Sequence, residues 1–210
     1  MVRFTRFLAV VAIAATTVSC GARVGTGGGR GSSFLVIDSL QGIRGAVTPG
    51  TPSSTLISDV ITNVITPAPC TAASPCPTVF GDSGRAAMHV VMKDAGSAAP
   101  TTPTPLQDIT ITRYRVEYSR ADGRNTPGVD VPHSFDGFVT VTVTPGGTSF
   151  GFSLVRVQAK DEPPLVLLKN PLSGIITGFA TVTFYGADQT GAEASMTGTI
   201  EIHFGNFGDL

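Results

Sequence analysis

"ATVTFYGADQTGAEASMTGTIEIHF", residues 180–204, decides the fold. Ala180, Val182 and Phe184 recur at every second position, with Thr181, Thr183 and Tyr185 between them. Met196, Ile200, Ile202 and Phe204 carry the same two-residue period. Successive side chains point to opposite faces only in an extended strand, so each run reads as a strand with one face buried. The intervening "GADQTGAE" (186–193) holds Gly, Asp and Thr, the residues that turn a chain, and joins the two strands as a hairpin.

The same alternation extends outward. "FVTVTVT" (138–144) places Val139, Val141 and Val143 on one face and threonines on the other, and "RAAMHVVMK" (85–93) buries Met88, Val90 and Met92. In "DITITRYRVEYSR" (108–120), Ile109 and Ile111 share one parity while Tyr114, Val116 and Tyr118 share the other. One extra residue near Thr112–Arg113 repairs the register, which predicts a β-bulge there. "SFGFSLVRVQAK" (149–160) shows a similar switch, from Phe150, Phe152 and Leu154 to Val155 and Val157. "TPGGTS" (144–149) reads as a tight hairpin connection, and "GSAAPTTPTP" (96–105) as a loop that cannot enter a sheet interior. "DEPPLVLLKNPLSG" (161–174) is the one helical candidate, started by Pro163 or Pro164 and ended by Pro171. Trp is absent while Gly (25) and Pro (15) are abundant, a balance that suits short strands and turns. The expectation is an all-β chain: a single antiparallel β-sandwich over 33–206 with long loops, at most one short crossover helix, and a tail at 207–210.

The hairpin 180–193 resembles the final hairpin of bacterial immunoglobulin-like and fibronectin type III-like domains. Val182, Phe184, Gly186, Asp188 and Gly191 fall in register with that pattern, while Ala180 and Ala192 stand where the family has Tyr and Asn. The resemblance implies an Ig-like sandwich and no particular activity.

The first twenty residues carry a different signal. Arg3 and Arg6 precede an apolar run, Phe7 to Ala15, and small residues follow. That order is a secretory signal peptide, 1–19, far short of the ~20 apolar residues a membrane-spanning helix needs. Thr17-Val18-Ser19-Cys20 resembles the lipobox of bacterial lipoproteins. The resemblance implies a diacylglycerol thioether on Cys20 and anchorage in the cell envelope. Gly21, where an Asp would favour retention in the inner membrane, implies the outer membrane in a Gram-negative organism. Residues 20–32 then form a Gly-rich flexible tether.

Cys70 and Cys76, in "CTAASPC", are an even pair in an exported chain and read as a disulfide. So small a loop contributes roughly 2 kcal/mol in the chain-entropy model. Net charge is −1 with 14% charged residues, so no basic field exists to hold nucleic acid.

Gly81-Asp82-Ser83-Gly84 matches the core of the trypsin-like nucleophile motif. That family places its His before the Ser, yet His89, His133 and His203 all follow Ser83. The tetrapeptide therefore reads as a turn entering the strand at Ala86. No catalytic set emerges. The best candidate for recognition is the loop 119–137, which gathers Asp122, Asn125, Asp130, His133 and Asp136. Carboxylates with an amide suit Ca²⁺, although the spacing matches no EF-hand loop and the same residues make ordinary turns. The sequence thus points to a non-catalytic, lipid-anchored envelope protein that binds a protein or glycan. The alternatives are a structural component that self-associates through sheet edges, and a hydrolase with an unrecognised site.

Mass spectrometry of the mature N-terminus is expected to find diacylated Cys20; a free N-terminus at any other residue would contradict the lipobox reading.

Overall fold

The structure, a computed structural model, describes residues 32–46, 50–94, 96–99 and 101–208. The signal peptide, Cys20 and the tether as far as residue 31 lie outside the described residues, as do the last two residues of the tail. Ten strands are formed among the described residues: β1 (Ser33–Ile43), β2 (Thr55–Asp59), β3 (Thr62–Val64), β4 (Cys76–Thr78), β5 (Asp82–Met92), β6 (Ile109–Arg120), β7 (Phe135–Val143), β8 (Thr148–Val155), β9 (Ile176–Asp188) and β10 (Glu193–Gly205). One sheet has the order β1-β5-β8, a second the order β2-β10-β9-β6-β7, and β3 and β4 form a separate small hairpin. The strands form a curled half-barrel.

The chain is all-β, as the alternation requires, but not wholly antiparallel. β2 runs parallel to β10, from Thr55 beside Glu201 to Asp59 beside Gly205. The chain leaves β1 in one sheet and joins the edge of the other, a crossover that a simple meander of hairpins does not make. The helical content also differs from expectation. A single α-helical turn, α1 (Val157–Asp161), precedes a 3₁₀ segment, Leu165–Lys169, that follows Pro164 and stops before Pro171. A further 3₁₀ turn spans Pro105–Gln107. The helix expected between Pro163 or Pro164 and Pro171 is thus a 3₁₀ segment, while α1 begins upstream, in a stretch that the alternation reads as strand.

The parity switches are real bulges. In β6, Ile111 stands opposite Gly186 and Arg113 opposite Tyr185, leaving Thr112 as the extra residue. The bulge lets Ile109 and Ile111 on one side, and Tyr114, Val116 and Tyr118 on the other, all face the core. In β8, Ser153 and Val155 pair with the consecutive residues Ser83 and Asp82, so Leu154 is extra and both Leu154 and Val155 are buried. Val157 is exposed because the chain has already turned into α1. "TPGGTS" turns as expected, with Gly147 at φ +88° donating to the Thr144 carbonyl. It links strands of different sheets, so it is a corner and not a ladder hairpin.

The two sheets share one core. Phe152 of β8 meets Tyr114 of β6 and Phe184 of β9 edge-on, at centroid distances of 5.2 and 5.3 Å. Two tyrosine hydroxyls tie the sheets as well: Tyr118 donates to the Leu154 carbonyl at 2.7 Å, and Tyr114 accepts from the Ser153 N–H at 3.1 Å. Burial holds the Tyr118 phenol far above its usual range, so it remains a neutral donor.

The register gives the molecule two distinct ends. β1 enters at Ser33 beside Met92, where the 144–147 corner and the 189–192 turn also lie. The opposite end carries the exit of β1, the start of β5 and the end of β8. The loops 60–81, 121–134 and 156–175 emerge there too. β1, at eleven residues, separates these ends by roughly 35 Å.

Gly84 marks how tightly the core is closed. A Cβ there would lie 2.2 Å from Cζ of Phe152. Gly84→Ala is expected to destabilise the fold by about 1–3 kcal/mol, read from the denaturation midpoint; an unchanged midpoint would mean that the Phe152 ring is not seated over β5.

Candidate functional site

The loop between β6 and β7 is built from local bonds. Asp122 is held by two arginines, accepting from Arg120 Nη2 at 2.6 Å and Arg124 Nη2 at 2.9 Å. Hydrogen bonding from Arg120 foremost, then Arg124, keeps its carboxyl well below the ordinary range. Asn125 Oδ1 accepts the Arg120 N–H at 2.7 Å and closes the base of the loop. The Thr126 carbonyl accepts the N–H groups of Val129, Asp130 and Val131, and Asp130 returns a bond to the Thr126 N–H at 3.2 Å. Gly128, at φ +75°, permits this tight turn, and the exposed His133 ring packs against it, leaving no room for a Cβ. Asp136 lies on β7, on the outer face of the five-stranded sheet, where Arg113 and Arg115 each donate to it at 2.9 Å.

These five residues therefore do not converge. Asp122 and Asn125 secure the base, Asp130 the tip, and Asp136 the sheet face. Among the described residues, no three His, Cys, Asp or Glu side chains gather in an arrangement that could hold a metal ion. The carboxylates that would suit Ca²⁺ are turned to arginines or backbone N–H groups. What the arrangement offers is a loop of fixed shape beside a row of guanidinium and aromatic groups: Arg113 stacks 4.1 Å over the Tyr185 ring, and Phe138, on the same outer face, is 83% exposed.

Cys70 and Cys76 are bonded, with Cα atoms 5.3 Å apart, closing the loop that leads into β4, where Cys76 pairs with Val64 of β3. Asp188 closes the β9–β10 turn: its Oδ1 accepts the N–H of Thr190 and of Ala192, each at 2.9 Å, and the Thr190 hydroxyl at 2.6 Å. Gly191 follows at φ +83°.

Gly81-Asp82-Ser83-Gly84 is not a turn. Asp82, Ser83 and Gly84 are the first residues of β5, so Asp82 points inward and Ser83 outward. The pair cannot address one substrate. The histidines are engaged elsewhere, His89 with Asp38 at 2.8 Å and His203 with Thr177 at 3.0 Å.

Following Asp82 inward leads to a buried polar cluster that the sequence reading missed. Asp82 Oδ2 accepts the Ser58 hydroxyl at 2.6 Å and lies 2.8 Å from Lys160 Nζ, while Oδ1 accepts the Gly45 N–H at 2.9 Å. Lys160 Nζ also donates to the Asp59 carbonyl at 2.7 Å. The Asp59 carboxylate accepts Arg44 Nη2 at 2.6 Å and the Phe207 N–H at 3.2 Å. Both partners of the Lys160–Asp82 pair have side chains only 1% exposed. Burial lowers the affinity of Lys160 for its proton, and Asp82 partly restores it. A signal for Asp82 existed: it shares the parity of Ala86, Met88 and Val90, so extending that strand backward places it inside. Lys160 carried none.

Compared with known proteins, the chain matches no family model, no curated protein and no solved structure.

Asp82→Ala leaves the Lys160 amine in a buried site without its acidic partner. The expected loss is about 3–5 kcal/mol of stability by urea denaturation; a loss under about 1 kcal/mol would show that the cluster is hydrated and not a structural anchor.

Proposed function

We propose that this chain is an exported, lipid-anchored, non-catalytic envelope protein. In this reading its two packed sheets form an Ig-like β-sandwich that presents a binding surface for a protein or a glycan. One observation carries the proposal. The tether that would end in lipidated Cys20 joins β1 at Ser33, whereas the 121–134 loop emerges at the opposite end of the strands. An anchor at one end of a rigid two-sheet body holds the loops of the other end away from the bilayer, where a partner can reach them. Export is consistent with the Cys70–Cys76 disulfide, which persists in oxidising compartments. The signal peptide and lipobox supply the address, and the outer membrane is the expected destination in a Gram-negative organism.

A second reading is self-association through a sheet edge. β7 pairs only with β6 within its sheet and contains neither Pro nor Lys, the residues that commonly block edge pairing. Concentration-dependent assembly separates this reading from the first.

The experiment is a triple replacement, Asp122→Ala, Asp130→Ala and Asp136→Ala, in the full chain, with Cys20→Ser as a parallel variant. All three acids are on the surface, and exposed pairs contribute little to stability, so the triple variant is expected to keep its melting temperature within a few degrees. It should lose cross-linking to the partner captured by the native chain in intact envelopes, while Cys20→Ser should release the protein from the membrane fraction. Unchanged capture by the triple variant would move the binding surface elsewhere, and retention of Cys20→Ser in the membrane would remove the anchor.

A further inference from the structure

We propose that Lys160 and Asp82 condense to an amide, an internal cross-link joining the first residue of β5 to α1. The geometry is that of a held reactant pair. Lys160 Nζ lies 2.8 Å from Asp82 Oδ2, inside a cluster whose two reacting side chains are almost wholly shut off from water. Neither group can turn away. Nζ is fixed from behind by the Asp59 carbonyl at 2.7 Å, and the carboxyl is fixed by Ser58 on one oxygen and Gly45 on the other. Holding amine and carboxyl in contact in this way replaces a bimolecular encounter with an intramolecular one.

Condensation requires a neutral amine and a neutral carboxylic acid. An ion pair in so dry a place is costly, and passing one proton from Nζ to Oδ2 leaves a neutral amine facing a neutral carboxylic acid. The burial that disfavours the Lys160 ammonium acts in the same direction. The amine lone pair then attacks Cγ of Asp82 and a C–N bond forms. The carbonyl electron pair moves onto Oδ1, where the Gly45 N–H stands as donor at 2.9 Å. One proton leaves Nζ for Oδ2, 2.8 Å away, while the Ser58 hydroxyl, 2.6 Å from that oxygen, holds it in place. The Cγ–Oδ2 bond breaks, the carbonyl re-forms, and one water molecule is released. One C–N bond replaces one C–O bond with no change of oxidation state, so no oxidant, reductant or cofactor is required. Exclusion of water from the finished site opposes hydrolysis. The bond would connect residues 82 and 160 at the loop-bearing end, which otherwise relies on non-covalent contacts and the local Cys70–Cys76 staple.

Peptide mass mapping of the full chain, denatured, reduced and alkylated before proteolysis, tests this directly. The expected product is a branched peptide containing Asp82 and Lys160, one water lighter than its two parts, at near-complete yield. Asp82→Asn is expected to give the same branch with the loss of ammonia instead of water from its two parts, and Ser58→Ala to form the branch more slowly. Recovery of separate, full-mass peptides, with Lys160 open to an amine-acylating reagent after denaturation, would overturn the proposal. The decisive comparison uses the unaltered chain, so it does not depend on any variant folding.

Discussion

The buried contact between Lys160 and Asp82 is the constraint on which the rest of the structure depends. Five stretches distant in sequence meet at it or at its neighbour Asp59: the turn after β1 through Arg44 and Gly45, the end of β2 through Ser58 and Asp59, the first residue of β5, the single turn of α1, and the chain after β10 through Phe207. Burying charge is unfavourable unless nearly every lone pair and proton finds a partner. Here each carboxylate accepts from at least three groups, so these stretches can meet only in one arrangement. The specificity of the loop-bearing end follows from polar satisfaction, where the remainder of the core follows from apolar burial.

The two-sheet body prepares that meeting point. The bulge at Leu154 lets two consecutive residues of β8 enter the core, and its carbonyl takes the Tyr118 hydroxyl. The bulge at Thr112 re-aims β6 so that both tyrosines face β8. Without these offsets the period of two would send one apolar set into solvent. The aromatic cluster of Tyr114, Phe152 and Phe184 then fills the space between sheets, with Gly84 admitting Phe152. Directly beyond Gly84 along β5 comes Asp82, where the apolar core gives way to the charged cluster.

Alternation made much of this fold legible. The strand faces of β5, β6, β9 and β10, the bulge at Thr112, the Asp188 turn and the Cys70–Cys76 pairing all rest on local pattern, and local pattern is what a sequence displays. The parallel pairing of β2 with β10 is not local: Thr55 and Glu201 are brought together only by the crossover between sheets. The division of 157–169 into α1 and a 3₁₀ segment depends on how two prolines meet a crowded sheet end. For the candidate loop, the sequence displayed the acids but not their arginine partners. Asp136 finds Arg113 and Arg115 on a neighbouring strand, a pairing set by register, and so residues that look gathered in the sequence face different ways. Lys160 was invisible for the same reason, since its partners lie 78 and about 100 residues away.

Native-state hydrogen exchange at two amides tests the central claim, that the buried polar cluster around Lys160, Asp82 and Asp59, and not local structure, fixes the loop-bearing end. Gly45 lies in a turn and Phe207 beyond the last strand, and neither amide belongs to a sheet ladder, yet each donates to a buried carboxylate. If the cluster is the anchor, both should exchange only as slowly as the core amide of Val182, at the rate set by global unfolding. Exchange at the rate of the exposed turn amide of Gly147 would contradict the account and reduce the cluster to an incidental contact.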